Sequence, residues 1–109
     1  MTPSIVVGGE ALVDLVAGGG ALEAHLGGGP FNTARTLGRL EQPVAFLGRI
    51  SRDRFGAQML AQLEEDGVGL DAVVPTDDPT TLALAEVDAR GAATYRFYWQ
   101  GTSAPGLTV

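Results

Sequence analysis

The residues best suited to chemistry lie in one run, Gly27-Gly28-Gly29-Pro30-Phe31-Asn32-Thr33-Ala34. Three glycines allow backbone conformations closed to other residues and let a ligand come close to the main chain. Pro30 suits the first position of a helix, where its missing N–H costs nothing. The free N–H groups of that helix start can receive hydroxyl or anionic oxygens. Asn32 adds a side chain that both donates and accepts at the same mouth. The combination points to a small-molecule site; the plainer alternative is a tight strand-to-helix turn with no ligand. No Gly-Lys-Ser/Thr follows, so this is not a Walker loop, and the Gly-x-Gly-x-x-Gly dinucleotide pattern fails at Asn32.

Other polar residues read more simply. Asp53 is placed to cap a helix rather than to hold a ligand. Glu64-Glu65-Asp66 reads as a solvated helix end, its mismatch with the helix dipole screened by solvent. His25 is the single histidine of the chain and reads as incidental. Asp14, taken alone, could be an ordinary polar residue on an exposed strand.

The elements that must position these residues follow from the apolar pattern. Ile5–Val7 is a short β-branched run, most simply a buried strand. Leu12–Val16 and Leu22–Leu26 read as a hairpin around a turn at Ala17–Gly20. A helix is expected from Pro30 to about Leu40, with Phe31, Ala34, Leu37 and Leu40 on its apolar stripe. Pro43 stops it and Val44–Leu47 forms the next strand. A second helix, capped by Ser51 or Asp53, carries Phe55, Met59, Leu60 and Leu63 on its apolar face and ends at Gly67. The alternation implies right-handed βαβ units in a mostly parallel sheet. Beyond Val73-Val74-Pro75, Thr81–Val87 and Thr94–Trp99 form an antiparallel hairpin around Asp88-Ala89-Arg90-Gly91, added to that parallel core. On the last strand Tyr95, Phe97 and Trp99 share one face and Arg96 and Tyr98 the other.

Composition narrows the class. The chain has 109 residues, 45% apolar and 18% charged, which suits one folded domain rather than a disordered segment. It lacks cysteine, which removes disulfides and thiolate metal sites. All seven basic residues are arginine and the net charge is −6, which disfavours nucleic acid as a partner. No apolar run reaches the ~20 residues of a membrane span, and Met1-Thr2-Pro3-Ser4 lacks the basic start of a secretory signal. The expected compartment is the cytoplasm. Two helices cannot cover both faces of an open parallel sheet, so the sequence reads as the front part of a larger fold.

These pieces together resemble the ribokinase-like (PfkB) carbohydrate kinases. The carriers are Val7-Gly8-Gly9-Glu10 with Asp14, Gly28-Gly29-Pro30-Phe31-Asn32-Thr33-Ala34, Phe46-Leu47-Gly48-Arg49, Asp53-Arg54-Phe55-Gly56 and the hairpin ending in Phe97-Tyr98. The match covers essentially all of residues 1–109 as the N-terminal third of such an enzyme. It implies an α/β, ribokinase-like fold: a partial doubly wound three-layer αβα core with a small β-sheet lid, its strands at about 11–27 and 81–100. It also implies transfer of the γ-phosphoryl group of ATP, with Mg2+, to a sugar hydroxyl. On this resemblance Asp14, Gly28, Gly29 and Asn32 bind the sugar. Phe97 either forms an apolar wall against it or packs the lid or a dimer contact, since lids of the family often pair into homodimers. Ketogluconate kinases of the family carry an Arg near the end of the last lid strand; Trp99 stands there here, which favours a neutral, fructose-like sugar.

Two residues depart from the family pattern. Glu41 stands where a Gly or Ser usually ends the helix in a left-handed conformation, and Ser51 replaces a usual Gly. The Gly-Ala-Gly-Asp motif with its catalytic Asp, and the nucleotide-binding loops, are absent, so these residues alone are expected not to catalyse. The alternative is a non-catalytic module that binds sugar or dimerises through its lid strands. A nucleotide-binding Rossmann half is disfavoured by the imperfect glycine pattern and by the β-hairpin after two helices.

Overall fold

The apolar run that opens the chain pairs with the one that follows the first helix. In chain order the elements are β1 (Ile5–Gly8), β2 (Leu12–Gly18), β3 (Ala21–Gly27), α1 (Gly29–Arg39), β4 (Val44–Ser51), α2 (Arg54–Glu65), β5 (Val73–Thr76), β6 (Leu82–Val87), β7 (Ala93–Tyr98) and a 3-10 turn at Ala104–Gly106. The computed structural model describes residues 2–107. Two sheets result: a parallel one in the order β1-β4-β5, and a mixed one in the order β3-β2-β6-β7.

The parallel sheet is built from β-branched and aromatic runs and is covered on one face by the paired helices α1 and α2. Phe31 and Ala34 of α1, Met59 and Leu63 of α2, and Val44, Phe46 and Ile50 of β4 are all buried in one cluster. Phe31 meets Phe46 edge to face, ring centroids 6.1 Å apart and planes at 86°, a geometry that favours the aromatic quadrupoles. On the other face Val6, Leu47 and Val74 stay exposed, so two of the three layers of the doubly wound core are present.

The stripe expected on α1 changes at its end. Leu40 is 63% exposed, and Gly38 is buried in its place. The helix ends against the loop after α2, and a Cβ at Gly38 would lie 2.3 Å from the Asp66 carbonyl oxygen; only a residue without a side chain allows that approach. Glu41 then takes φ +60, the only positive φ outside glycine among the described residues. The left-handed position read from the sequence is therefore real, although a glutamate fills it. Helix α1 begins at Gly29, with Pro30 one place further in than expected.

Asp66 departs from the solvated helix end expected of it. Its side chain is buried and accepts from Arg35 Nε at 2.7 Å and Arg39 Nε at 3.1 Å. Burial alone would raise its pKa, but the hydrogen bonds and charges of the two arginines outweigh that and hold it below its ordinary value. The arginines stand four residues apart on one face of α1, so a single carboxylate fastens α1 to the end of α2.

The second hairpin is not an appendage of the parallel sheet. Strand β6 pairs in parallel with β2, Asp14 opposite Ala83, and so joins the hairpins β2–β3 and β6–β7 into one four-stranded sheet. Strands β1 to β4 run longer than the expected spans, whereas β6 begins at Leu82 rather than Thr81 and β7 spans Ala93–Tyr98, leaving Trp99 just past its end. The first hairpin turns on Gly19-Gly20, both at positive φ, the backbone that a two-residue loop demands.

Candidate functional site

Strand β2 carries Asp14 into the small sheet, and the registers set out what lies beside it. Across β3, β2, β6 and β7 one row reads His25, Asp14, Ala83, Phe97. Cross-strand partners share a face, so Asp14 and Phe97 point the same way, about 10 Å apart over two strand spacings. Asp14 is exposed and lines a shallow groove with Val16, Ala83, Ala85 and Tyr95. Phe97 lines a neighbouring pocket of about 430 Å³ with Glu10, Leu12, Thr81, Trp99, Ala104 and Pro105.

The glycine turn comes next along the chain. A Cβ on Gly27 would lie 2.3 Å from Asp14 Oδ2, so the carboxylate sits directly over the turn. Gly28 is the N-cap of α1 at φ 104, and a Cβ there would meet the Glu10 carbonyl oxygen at 2.6 Å. Its glycine is thus required by the backbone and by the β1–β2 connection. Gly29 has open space where a side chain would be. No side chain caps α1, so the Gly29 N–H has no capping partner; Pro30 has no N–H and Phe31 is buried. Asn32 is exposed in that first turn; its N–H bonds the Gly28 carbonyl, and its own carbonyl accepts from the Thr36 hydroxyl.

Asp14, Gly28, Gly29 and Asn32 therefore cluster where β3 enters α1, with Phe97 two strands away on the same face. They do not share one closed cavity. His25 stands opposite Asp14 but its Nε2 lies 3.3 Å from Glu23 Oε2, both side chains well exposed. The carboxylates of Asp14 and Glu23 lie on this face. Arg96 belongs to the reverse face, where its Nε donates to Glu86 at 2.6 Å.

Sequence reasoning missed a polar hub at the base of the small sheet. Asp53 caps α2 by accepting from the Gly56 N–H at 2.8 Å, as expected. The same carboxylate also accepts from the Thr80 N–H at 2.8 Å and the Thr80 hydroxyl at 2.7 Å. Burial would raise the Asp53 pKa, but the bonds from Thr80, Gly56 and Ser51 prevail and lower it. Next door, the buried Thr81 hydroxyl lies 2.6 Å from that of Thr102 and accepts from the Ala104 N–H. Asp53, Thr80 and Thr81 are distant in sequence from Thr102, and no local spacing connects them. The only signal was the adjacent Thr80-Thr81 pair entering a strand.

No cluster of three or more metal-ligating side chains occurs among the described residues. Arg35, Arg39, Arg49, Arg52 and Arg96 are engaged with carboxylates of the chain itself. No helix among the described residues is long and apolar enough to cross a membrane.

A sheet of parallel strands backed by two helices, with a second small sheet whose base borders a glycine-led helix start, defines a sugar-kinase type of α/β fold. The chain belongs to the pfkB family of carbohydrate kinases, whose model matches residues 3–107. It is 36% identical over 106 residues to a fructokinase of Rhizobium leguminosarum bv. trifolii, covering 93% of this chain and 32% of that protein. Over 108 residues it is 30% identical to a 2-dehydro-3-deoxygluconokinase of Dickeya dadantii (strain 3937), covering 94% of this chain and 34% of the relative. The crystal structure of a Xylella fastidiosa fructokinase with bound ATP superposes with a TM-score of 0.85 at 29% identity, over 95% of this chain and 35% of that one. The chain thus spans about a third of the length of the relatives it matches.

Proposed function

We propose that residues 1–109 are the sugar-binding N-terminal portion of an ATP-dependent kinase that phosphorylates a hydroxyl of a neutral, fructose-like sugar. The observation that carries this reading is the placement of Asp14 over the glycine turn, beside the uncapped start of α1 and on the same face as Phe97. A carboxylate that is not engaged with a cation accepts hydrogen bonds from sugar hydroxyls, and the uncapped Gly29 N–H and the Asn32 side-chain amide are donors for sugar oxygens. Phe97 offers an aromatic face to the apolar C–H side of the ring. The face carries the carboxylates Asp14 and Glu23, while Arg96 is turned away and held by Glu86. That charge pattern repels a sugar acid, which supports a neutral substrate.

The residues of this chain bind and orient the sugar, and closing the small sheet over it would exclude water. The nucleotide, its Mg2+ and the base that takes the hydroxyl proton are assigned to the part of the fold found in the longer relatives, so these residues alone bind without phosphorylating. Calorimetric titration with D-fructose tests the reading. Saturable binding is expected, weakened at least about tenfold by Asp14→Ala or Asn32→Ala, a loss of the size of one charge-assisted hydrogen bond. A sugar acid such as D-gluconate should bind more weakly than fructose. No heat of binding with any sugar would refute it.

A second reading has one supporting observation. All of β7 is exposed, and Tyr95, Phe97 and Tyr98 on it and Trp99 just past its end are each at least half exposed. A homodimer through these strands would cover them, and sedimentation analysis would detect it.

A further inference from the structure

The geometry points to Asp53 and Thr80 as positioning residues that set Asp14 and the aromatic wall in their relative places through the hub at the base of the small sheet. The inference rests on the sugar-binding reading above, and on a chain of contacts that reading does not use.

Asp53 sits at the start of α2, in the helical half of the molecule. Beyond its cap it has capacity to spare, and both further bonds go to Thr80, the residue that leads into β6. Thr80 is 4% exposed and Asp53 half-buried, so these bonds are shielded on the threonine side, and their charged acceptor strengthens them. From Thr81 the contacts divide. Its carbonyl accepts from the Val13 N–H at 3.0 Å, the residue immediately before Asp14. Its hydroxyl meets that of Thr102, which in turn donates to the Trp99 carbonyl at 2.5 Å. One branch therefore ends on the strand that carries Asp14, and the other on the end of the strand that carries Phe97.

The returning chain is held at the same point. The Ser103 N–H bonds the Pro79 carbonyl at 2.9 Å, and the Ala104 N–H bonds the Thr81 hydroxyl at 2.9 Å. Where the small sheet leaves the core at residues 79–81 and re-enters it at 102–104, the two passages are thus fastened to each other. Asp53 fastens the first passage to the helix directly, through Thr80, and the second only by way of that link. Val13, Leu15, Leu26 and Leu82 pack the base of the sheet on the core and ladder bonds join its strands; the hub adds a polar anchor at the point where the sheet joins the helical half.

Thr80 offers the cleaner test, because Thr80→Val removes the hydroxyl while leaving the Asp53 cap on Gly56 untouched. Trp99 is the single tryptophan of the chain and lines the pocket with Phe97, so its fluorescence reports the site directly. D-fructose is titrated into the 109-residue protein, the Thr80→Val variant and the Thr80→Ser variant, with thermal midpoints recorded for each. Amide exchange is followed in parallel at Val13, and at Phe46 as a core reference.

Thr80→Val should raise the half-saturating fructose concentration at least about fivefold, the lower end of ordinary coupling between sites. It should also speed exchange at Val13 but not at Phe46, and Thr80→Ser should restore both. Equal fructose response in the Val variant and the parent overturns the proposal. If the parent protein itself gives no fructose response, the sugar-binding reading falls, and exchange alone decides the hub. Faster exchange at Val13 alone then upholds the coupling, and unchanged exchange there, or an equal rise at Phe46, overturns it.

Discussion

Strands β4 and β7 are both rich in apolar residues, yet six of the eight residues of β4 are buried and all six of β7 are exposed. The difference is one of partners. Beneath β4 lie Phe31, Met59 and Leu63 from two helices, whereas β7 has only β6 beside it and no layer across either face. The core half holds the fold, while the small sheet, which carries Asp14 and Phe97, has little burial of its own. Regions with few buried contacts open at lower cost than the global fold, which suits the sugar-covering role proposed for this sheet.

The sharpest way to break this comparison is a pair of truncations. Phe46→Ala, at a fully buried ring, should cost about 3–5 kcal/mol in urea unfolding. Tyr95→Ala on β7, 65% exposed, should stay within about 0.5 kcal/mol. Similar costs at the two positions would mean that the halves share stability more evenly than their burial implies.

The junction between the halves comes next. Gly28→Ala places a side chain at φ 104 and against the Glu10 carbonyl. A loss of roughly 1–3 kcal/mol is expected from the backbone strain, read as a lower thermal midpoint. An unshifted midpoint would remove the packing role given to Gly28.

Asp66 gives a smaller, pH-dependent effect. Its folded pKa lies below the ordinary 3.8, so the folded state binds fewer protons than the unfolded one at acid pH. The stabilisation is therefore complete above about pH 4 and is lost as pH falls through the lowered value. Asp66→Asn should cost about 1–2 kcal/mol at pH 7 through the lost charged hydrogen bonds. It should also flatten the acid limb of a stability-against-pH curve, with a residual slope from Asp53, whose pKa is lowered too. An unchanged acid limb would place the linkage elsewhere. The smallest effect is expected at Leu40→Ser: although the residue falls on the apolar stripe, its exposure predicts a change within about 0.5 kcal/mol.

The helices and strands were legible because their signals are local. Phe31 and Ala34 repeat with helical spacing, and Asp53 stands three residues before the N–H it caps; α1 itself ends at Arg39, closed by the left-handed Glu41 before Pro43 is reached. Asp14, Gly28, Gly29 and Asn32 could be singled out because glycines and a helix start announce themselves, although the role of Asp14 came only through resemblance. Leu40 faces out because the i+3 run from Phe31 drifts off the buried face, leaving Leu40 opposite Phe31 and one residue past the helix end. What else escaped depends on pairs distant in the chain. Asp66 is buried because two arginines of α1 reach it. Strand β4 continues past Leu47 to Ser51 through Gly48, where a Cβ would collide with the Phe46 ring and the Gly9 carbonyl. The parallel pairing of β2 with β6 has no sequence signature, since neither strand records which partner it will meet.

That seam also dictates an order of assembly. The hairpins β2–β3 and β6–β7 can each close on the microsecond scale typical of local turns, but β2 meets β6 only after the intervening helices and parallel strands have brought them together, with the loop-closure cost that long separation carries. During synthesis from the N-terminus, Leu12–Gly18 therefore waits with one edge bare until Leu82–Val87 has been made. A bare strand edge is a template for joining another chain. The step at which the nascent protein is most exposed to misassembly is thus the interval between the birth of its second strand and the arrival of its sixth.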